Sequence, residues 1–147
     1  MFRKKKELQE NITKANIDIL VSLLPMLLVA FFIYETTPLL VILSAVGASE
    51  AIDVIFSLII QKNKGTLKDL SGITIGALTG LVLAPFTPLY VAAFAGGMAT
   101  LFGKAVYRGT DKKIFNPVIL GKIFVLTFFP AVFASDSAAW ANPEVLN

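Results

Sequence analysis

Long apolar runs alternate with short charged breaks along this chain. The first run is about Ile17 to Tyr34 and the second about Leu39 to Ile60. The third is shorter, about Ser71 to Ala84. The fourth covers about Leu89 to Val106, and the fifth starts at Asn116-Pro117 and reaches about Phe133. Runs of about 17–25 apolar residues match the hydrocarbon core of a bilayer. The pattern therefore predicts an all-α membrane protein of about five transmembrane segments. Three regions follow: a basic N-terminal segment 1–16, a transmembrane domain 17–133 and a tail 134–147.

Local signals sharpen several of these segments. Pro25 lies inside the first and predicts a kink. Glu35-Thr36-Thr37-Pro38 reads as the loop that turns into the second. The third segment, at 1.5 Å per residue, is only roughly 21 Å long against a core of ~30 Å. Gly72, Gly76 and Gly80 lie four apart on it and form a bare stripe of the kind that lets helix backbones touch. Pro85 and Pro88 then stop the helix. A helix ending at membrane depth leaves carbonyls that lipid cannot satisfy, and in transporters such breaks mark binding sites. The other reading is a tilted helix with a packing seam and no ligand. Gly96 and Gly97 give the fourth segment a similar open surface. The glycine ladder is expected to seat a helix from a partner subunit. Asn116 followed by Pro117 predicts a helix cap with proline in the first turn.

Composition agrees with membrane residence. Of 147 residues, 56% are hydrophobic, against about 45–50% in soluble domains. The mean hydropathy is +0.76. The first apolar run is long and lacks a small-residue cleavage site, so no cleaved signal peptide is expected. Cysteine and histidine are absent, which removes disulfides, thiolate catalysis, haem histidine ligands and the usual zinc sites. No nucleophile–base pair, NADH motif or nucleic-acid signature stands out. Charge adds an orientation. Lysines and arginines fall at the N-terminus, in 61–69, in or beside 107–114, and at Lys122 just inside the fifth segment. The opposite side holds Glu35, Asp136 and Glu144. The positive-inside rule puts the N-terminus in the cytoplasm and the C-terminus outside. The basic run Arg3 to Lys6 reads as a topological anchor or a contact for anionic lipid, and Trp140 as an interface anchor.

Glu50 and Asp53 stand three apart, on one helical face, inside the second segment. Acids at that depth usually face a protein interior or a wet cavity. They read as an ion pathway, or as carboxylates bonded to neighbouring hydroxyls and amides. An odd number of segments, one of them short and broken, reads as one half of an inverted-repeat, channel-like fold. The other half would come from another chain, or the sequence is truncated or naturally halved.

Leu67-Lys68-Asp69, Leu78-Thr79-Gly80-Leu81, Gly103-Lys104, Tyr107, Gly109, Phe115-Asn116-Pro117 and Phe128-Phe129-Pro130 occur in an ordered series. Pro25 and Glu50-Ala51 fit the same series. Over roughly Asp18 to Pro130 the chain resembles the membrane-subunit family that contains RnfD and NqrB. These belong to Rnf-type ferredoxin:NAD oxidoreductase and to sodium-pumping NADH:quinone oxidoreductase, respectively. The resemblance implies a prokaryotic inner-membrane, multi-pass subunit of a redox-driven ion translocase. It implies flavin, with electron flow coupled to sodium or proton movement, and other membrane subunits as partners. Family members carry FMN on a threonine of a Ser-Gly-Ala-Thr type motif, and a noncovalent riboflavin. The covalent motif is missing here. Ser71-Gly72-Ile73-Thr74 is a superficial match at the start of a packed helix, so Thr74 is not expected to carry FMN. A noncovalent flavin, riboflavin or FMN, would be held near Asn116 and Pro117, with Thr79, Gly80 and Lys104 as further candidates. Two alternatives use the same residues: a passive channel or transporter, and a scaffold that keeps the fold without the cofactor.

Overall fold

A computed structural model of the chain describes residues 2–61, 70–106 and 115–133, and every regular element among them is helical. The expectations for 62–69, for 107–114 with Tyr107 and Gly109, and for the tail with Trp140 lie outside the described residues. Helix α1 runs Phe2–Tyr34, α2 Thr37–Phe56, α3 Ser71–Val82, α4 Leu89–Thr100, α5 Pro117–Phe128 and the short α6 Pro130–Phe133. Two five-residue π-helical turns extend α2 over Ser57–Gln61 and α4 over Leu101–Ala105.

Several boundaries differ from the sequence pattern, for identifiable reasons. Helix α1 is continuous from Phe2 into the first apolar run and passes through Pro25. Lys, Glu, Gln and Leu are good helix formers, so charge does not end a helix there. Pro38 belongs to the first turn of α2 rather than to a loop, and it is buried. Proline fits that position because its missing N–H would have no helical partner. The turn before it passes through Glu35 at φ 58. The fifth apolar run is broken at Phe129, the residue before Pro130, where proline disfavours the helical conformation. The proline break after α3 is as expected. Leu83 is extended, and Thr87 returns its hydroxyl to the Ala84 carbonyl at 2.7 Å.

Among the described residues, two helices are long and apolar enough to cross a membrane, Lys6–Tyr34 and Thr37–Ile59. Ser71–Val82, Leu89–Lys104 and Pro117–Phe128 are shorter apolar helices. At 1.5 Å per residue, the twelve residues of α3 reach only about 18 Å.

Helix α2 is the axis of the bundle, packing most extensively against α4 and α3. The core joins Val41 and Ala45 of α2 to Val91, Ala92 and Ala95 of α4, with Leu83 and Val125 closing it. The buried residues of this contact on α2 and α4 are all valine or alanine, with Phe94 of α4 packed against them from the side. The glycine ladder explains how α3 joins them. A Cβ on Gly76 would lie 2.5 Å from the Cα of Val46, and one on Gly80 2.7 Å from the Cα of Ile42. The seam is therefore filled by α2 of the same chain, which corrects the expectation of a helix from a partner. Gly96 closes the other side of α2, where a Cβ would collide with the Ala45 carbonyl oxygen. Its neighbour Gly97 faces open packing, with Ile52 Cγ1 3.8 Å from where a Cβ would sit.

These two adjacent glycines make a matched test. Gly96→Ala forces α4 away from α2 and is expected to lose about 1–3 kcal/mol, the usual range for overpacking. Gly97→Ala is expected to be neutral or slightly stabilising through its effect on the unfolded chain. Thermal unfolding in detergent checks the pair, and equal melting temperatures for the two variants would contradict the packing account.

Candidate functional site

Three helices meet at one buried polar cluster. Lys104 comes from the π-turn after α4, Asp53 from the last turn of α2, and Ser71 is the first residue of α3. The Lys104 ammonium donates to Asp53 Oδ2 at 2.6 Å and also to Ser71 Oγ. The Lys104 and Asp53 side chains are 3% and 7% exposed. An extra residue per turn in a π-turn changes which way side chains face, and such turns recur at functional sites. Here one encloses Lys104 and the other begins four residues after Asp53. Leu70 sets the third corner. Its backbone is left-handed at φ 52, a costly conformation for a bulky residue, and it turns the chain into α3 so that Ser71 is buried.

One helical turn along α2, hydroxyls take over from charges. Ser49 donates to the Gly72 carbonyl at 2.6 Å and shares a 2.5 Å hydrogen bond with Thr100 of α4. Glu50 lies between the two groups. Its Oε2 is buried and is without a hydrogen-bond partner among the described residues. This oxygen sits over Gly72, where a Cβ would be only 2.5 Å from it. Gly72 thus makes room for a carboxylate, unlike Gly76 and Gly80, which make room for backbone. A buried oxygen with unused lone pairs, next to an ion pair, can accept a proton or coordinate a small cation.

Ser71 also lines a cavity of about 430 Å³. Its polar wall adds Asn16, Thr74 and Asn116, while Leu78 and Pro117 are among its apolar residues. Asn116 is the cap that its sequence position predicts: its side chain accepts from the Val118 N–H at 3.0 Å. The carboxamide N–H₂ of such a cap is not used in capping and remains a donor. Thr74 donates to the Leu70 carbonyl at 3.0 Å, leaving lone pairs on its oxygen.

The structure thus brings together Asn116, Pro117 and, through Ser71, Lys104. It leaves two of the predicted residues elsewhere. Thr79 is buried and donates to Ile75 within α3 at 2.7 Å. Gly80 packs on Ile42 and borders a separate apolar cavity of about 220 Å³ with Met26 and Pro38. Sequence reasoning missed Asn16, Ser49, Ser71 and Thr100 as site residues. Asn16 stands one residue ahead of an apolar run. Ser49 directly precedes Glu50, and Ser71 opens the glycine ladder, so both had a positional signal. Nothing in the sequence links Thr100 to Ser49.

Comparison with known proteins gives this geometry a family. The model of the NQR2, RnfD, RnfE family matches residues 6–144. The curated relatives include D subunits of ion-translocating oxidoreductase complexes. The one from Ectopseudomonas mendocina is 39% identical over 53% of this chain and 22% of its own length. Its counterpart from Salmonella arizonae is 30% identical over 70% of this chain and 28% of its own length. That from Halorhodospira halophila is 29% identical over 54% of this chain and 21% of its own length. The chain thus spans about a quarter of the length of the curated relatives it matches. The family match covers nearly the whole sequence and includes every residue of the polar cluster and its cavity: the chain belongs to the NQR2, RnfD, RnfE family.

Proposed function

We propose that this chain is a membrane subunit of an ion-translocating oxidoreductase complex of the Rnf type. In this reading it helps to hold a flavin and to couple electron flow to sodium or proton movement. One observation carries the reading: a charge pair closed to solvent is joined through Ser71 to a cavity with a polar wall. The relatives, named as parts of an ion-translocating oxidoreductase complex, support it. So does the charge distribution, which favours a cytoplasmic N-terminus with the helices crossing an inner membrane.

The cavity suits the flavin ring system by size and by chemistry. Ligand pockets are typically about 300–1,000 Å³, mostly apolar with a few fixed polar groups. The pyrimidine edge of a flavin offers carbonyls and an N–H. The Asn116 amide supplies a donor and the Thr74 oxygen an acceptor. The ring's apolar end is matched by Leu78, Ile75 and Pro117. A bound flavin would supply one- and two-electron chemistry. The residues of this chain would bind and orient it. Because Thr74 is engaged within α3, the flavin is noncovalent in this reading. Glu50 and Asp53 then form the ion-carrying part, on the far side of Ser71 from the cavity. Nucleotide and ferredoxin chemistry would belong to other subunits.

Cofactor extraction from the native complex, read by absorbance and mass spectrometry, tests the reading. Acid-releasable flavin is expected, and its absence contradicts it. Asn116→Asp keeps a good cap but replaces the amide donor with a carboxylate. It is expected to lower flavin content while the fold melts as wild type; unchanged flavin content would remove Asn116 from the site.

The two acids are expected to separate by phenotype. Asp53→Asn leaves the Lys104 charge buried and poorly compensated, a loss of about 3–5 kcal/mol, so little folded chain should accumulate. Glu50→Gln alters a carboxylate whose Oε2 has no hydrogen-bond partner among the described residues. It should leave assembly and flavin intact while slowing ion uptake into vesicles. Wild-type uptake by Glu50→Gln would take Glu50 out of the ion path.

A further inference from the structure

Lys122 stands near the middle of α5 and takes no part in the cluster or the cavity described above. It is exposed, and so are Ile119, Ile123 and Leu126, at 56%, 52% and 44%. These four residues fall at i, i+3, i+4 and i+7, a single stripe along one side of the helix. The opposite side, Pro117, Gly121 and Val125, is buried against the bundle. Helix α5 therefore shows the outside an apolar stripe with one ammonium at its centre.

Lipid covers the apolar members of such a stripe, but it does not solvate a charge. A lysine near a helix end escapes by stretching back to the headgroups. For Lys122 that would mean lying toward Pro117, at the start of α5. It borders instead a small cavity of about 110 Å³ with Val125, Leu126 and Phe133 of the other end, and with Leu83 and Ala84 beyond α3. The contrast with α1 is direct. Residues 19–34 carry no charged side chain, so lipid alone suits that exposed surface.

We propose that the Ile119, Lys122, Ile123 and Leu126 stripe is a subunit interface. Its occupant is a helix of another membrane subunit that sets an Asp or Glu side chain against Lys122. Apolar residues one turn above and below that acid would meet Ile119 and Leu126. The inference rests on the membrane-subunit reading given above. A carboxylate is the partner because charge complementarity fixes register and orientation as well as removing the cost of the buried ammonium.

A membrane-soluble carbodiimide, which joins an amine to a carboxylate in contact with it, tests this on the native complex. Mass spectrometry is expected to find Lys122 linked to an Asp or Glu of a different membrane subunit. In parallel, Lys122→Leu should lower the recovery of the other membrane subunits by about tenfold or more, as truncating one side of a buried charge pair does. Lys122→Arg should restore most of it. Leucine suits an exposed apolar helix position, so the chain's own abundance in the membrane should not change. Lys122 left unlinked, or linked to lipid or to an acid of its own chain, would overturn the interface. So would wild-type recovery of partners by Lys122→Leu. Failure of the wild-type chain to bring down any membrane subunit would overturn the underlying reading as well.

Discussion

The ion pair between Lys104 and Asp53 is the interaction on which the rest of the bundle depends. Both groups are almost closed to solvent, so removing either leaves the other's buried group without its partner. The pair ties the end of α4 to the end of α2, and Ser71 adds the start of α3. Three helices are thereby fixed at one end by charge. At the other end they are fixed by size, through glycines and alanines that bring backbones into contact. Neither device suffices alone. Buried pairs seldom add net stability over an apolar core, but they penalise every arrangement that separates them. Small-residue seams allow close approach without choosing a register. Together they specify one packing.

The same arrangement places the polar groups. Packing by small side chains leaves little apolar bulk around α2, so polar groups on it meet polar groups on its neighbours. Ser49 finds Thr100 and the Gly72 carbonyl, while Glu50 finds room over Gly72 and no partner among the described residues. Ser71 belongs both to the ion-pair cluster and to the wall of the cavity beside Asn116. A change of charge in that cavity would be felt at Lys104 through a single hydroxyl. Under the proposed function, this hydroxyl would be the short physical connection between a bound flavin and the ion pair.

Much of this architecture can be read from the sequence. The apolar runs locate the helices, because lipid and core both demand them. The shortness of α3 and its proline stop are legible for the same reason, and Asn116-Pro117 announces its cap through local chemistry alone. What pairs with what is less legible. The spacing of Gly72, Gly76 and Gly80 reveals a seam but not its occupant, and α2 of the same chain fills it. Glu50 and Asp53 share a helical face, yet the Lys104 bond goes to Asp53, one turn further along α2, and Lys104 itself is held in the π-turn after α4. A periodicity of 3.6 cannot anticipate such turns. Thr79 and Gly80 belong to the family-like string of residues but serve the interior of α3 and its seam with α2.

The claim at the centre is that Asp53 is locked inside the folded bundle by Lys104. Carboxyl footprinting of the protein in native membranes measures this most directly, using a water-soluble carbodiimide with an amine nucleophile. Asp18 and Glu35 are exposed and provide the internal reference. The account predicts that both label readily while Asp53 stays unlabelled until the bundle is unfolded. Labelling of Asp53 at the rate of Asp18 in the folded protein would contradict it.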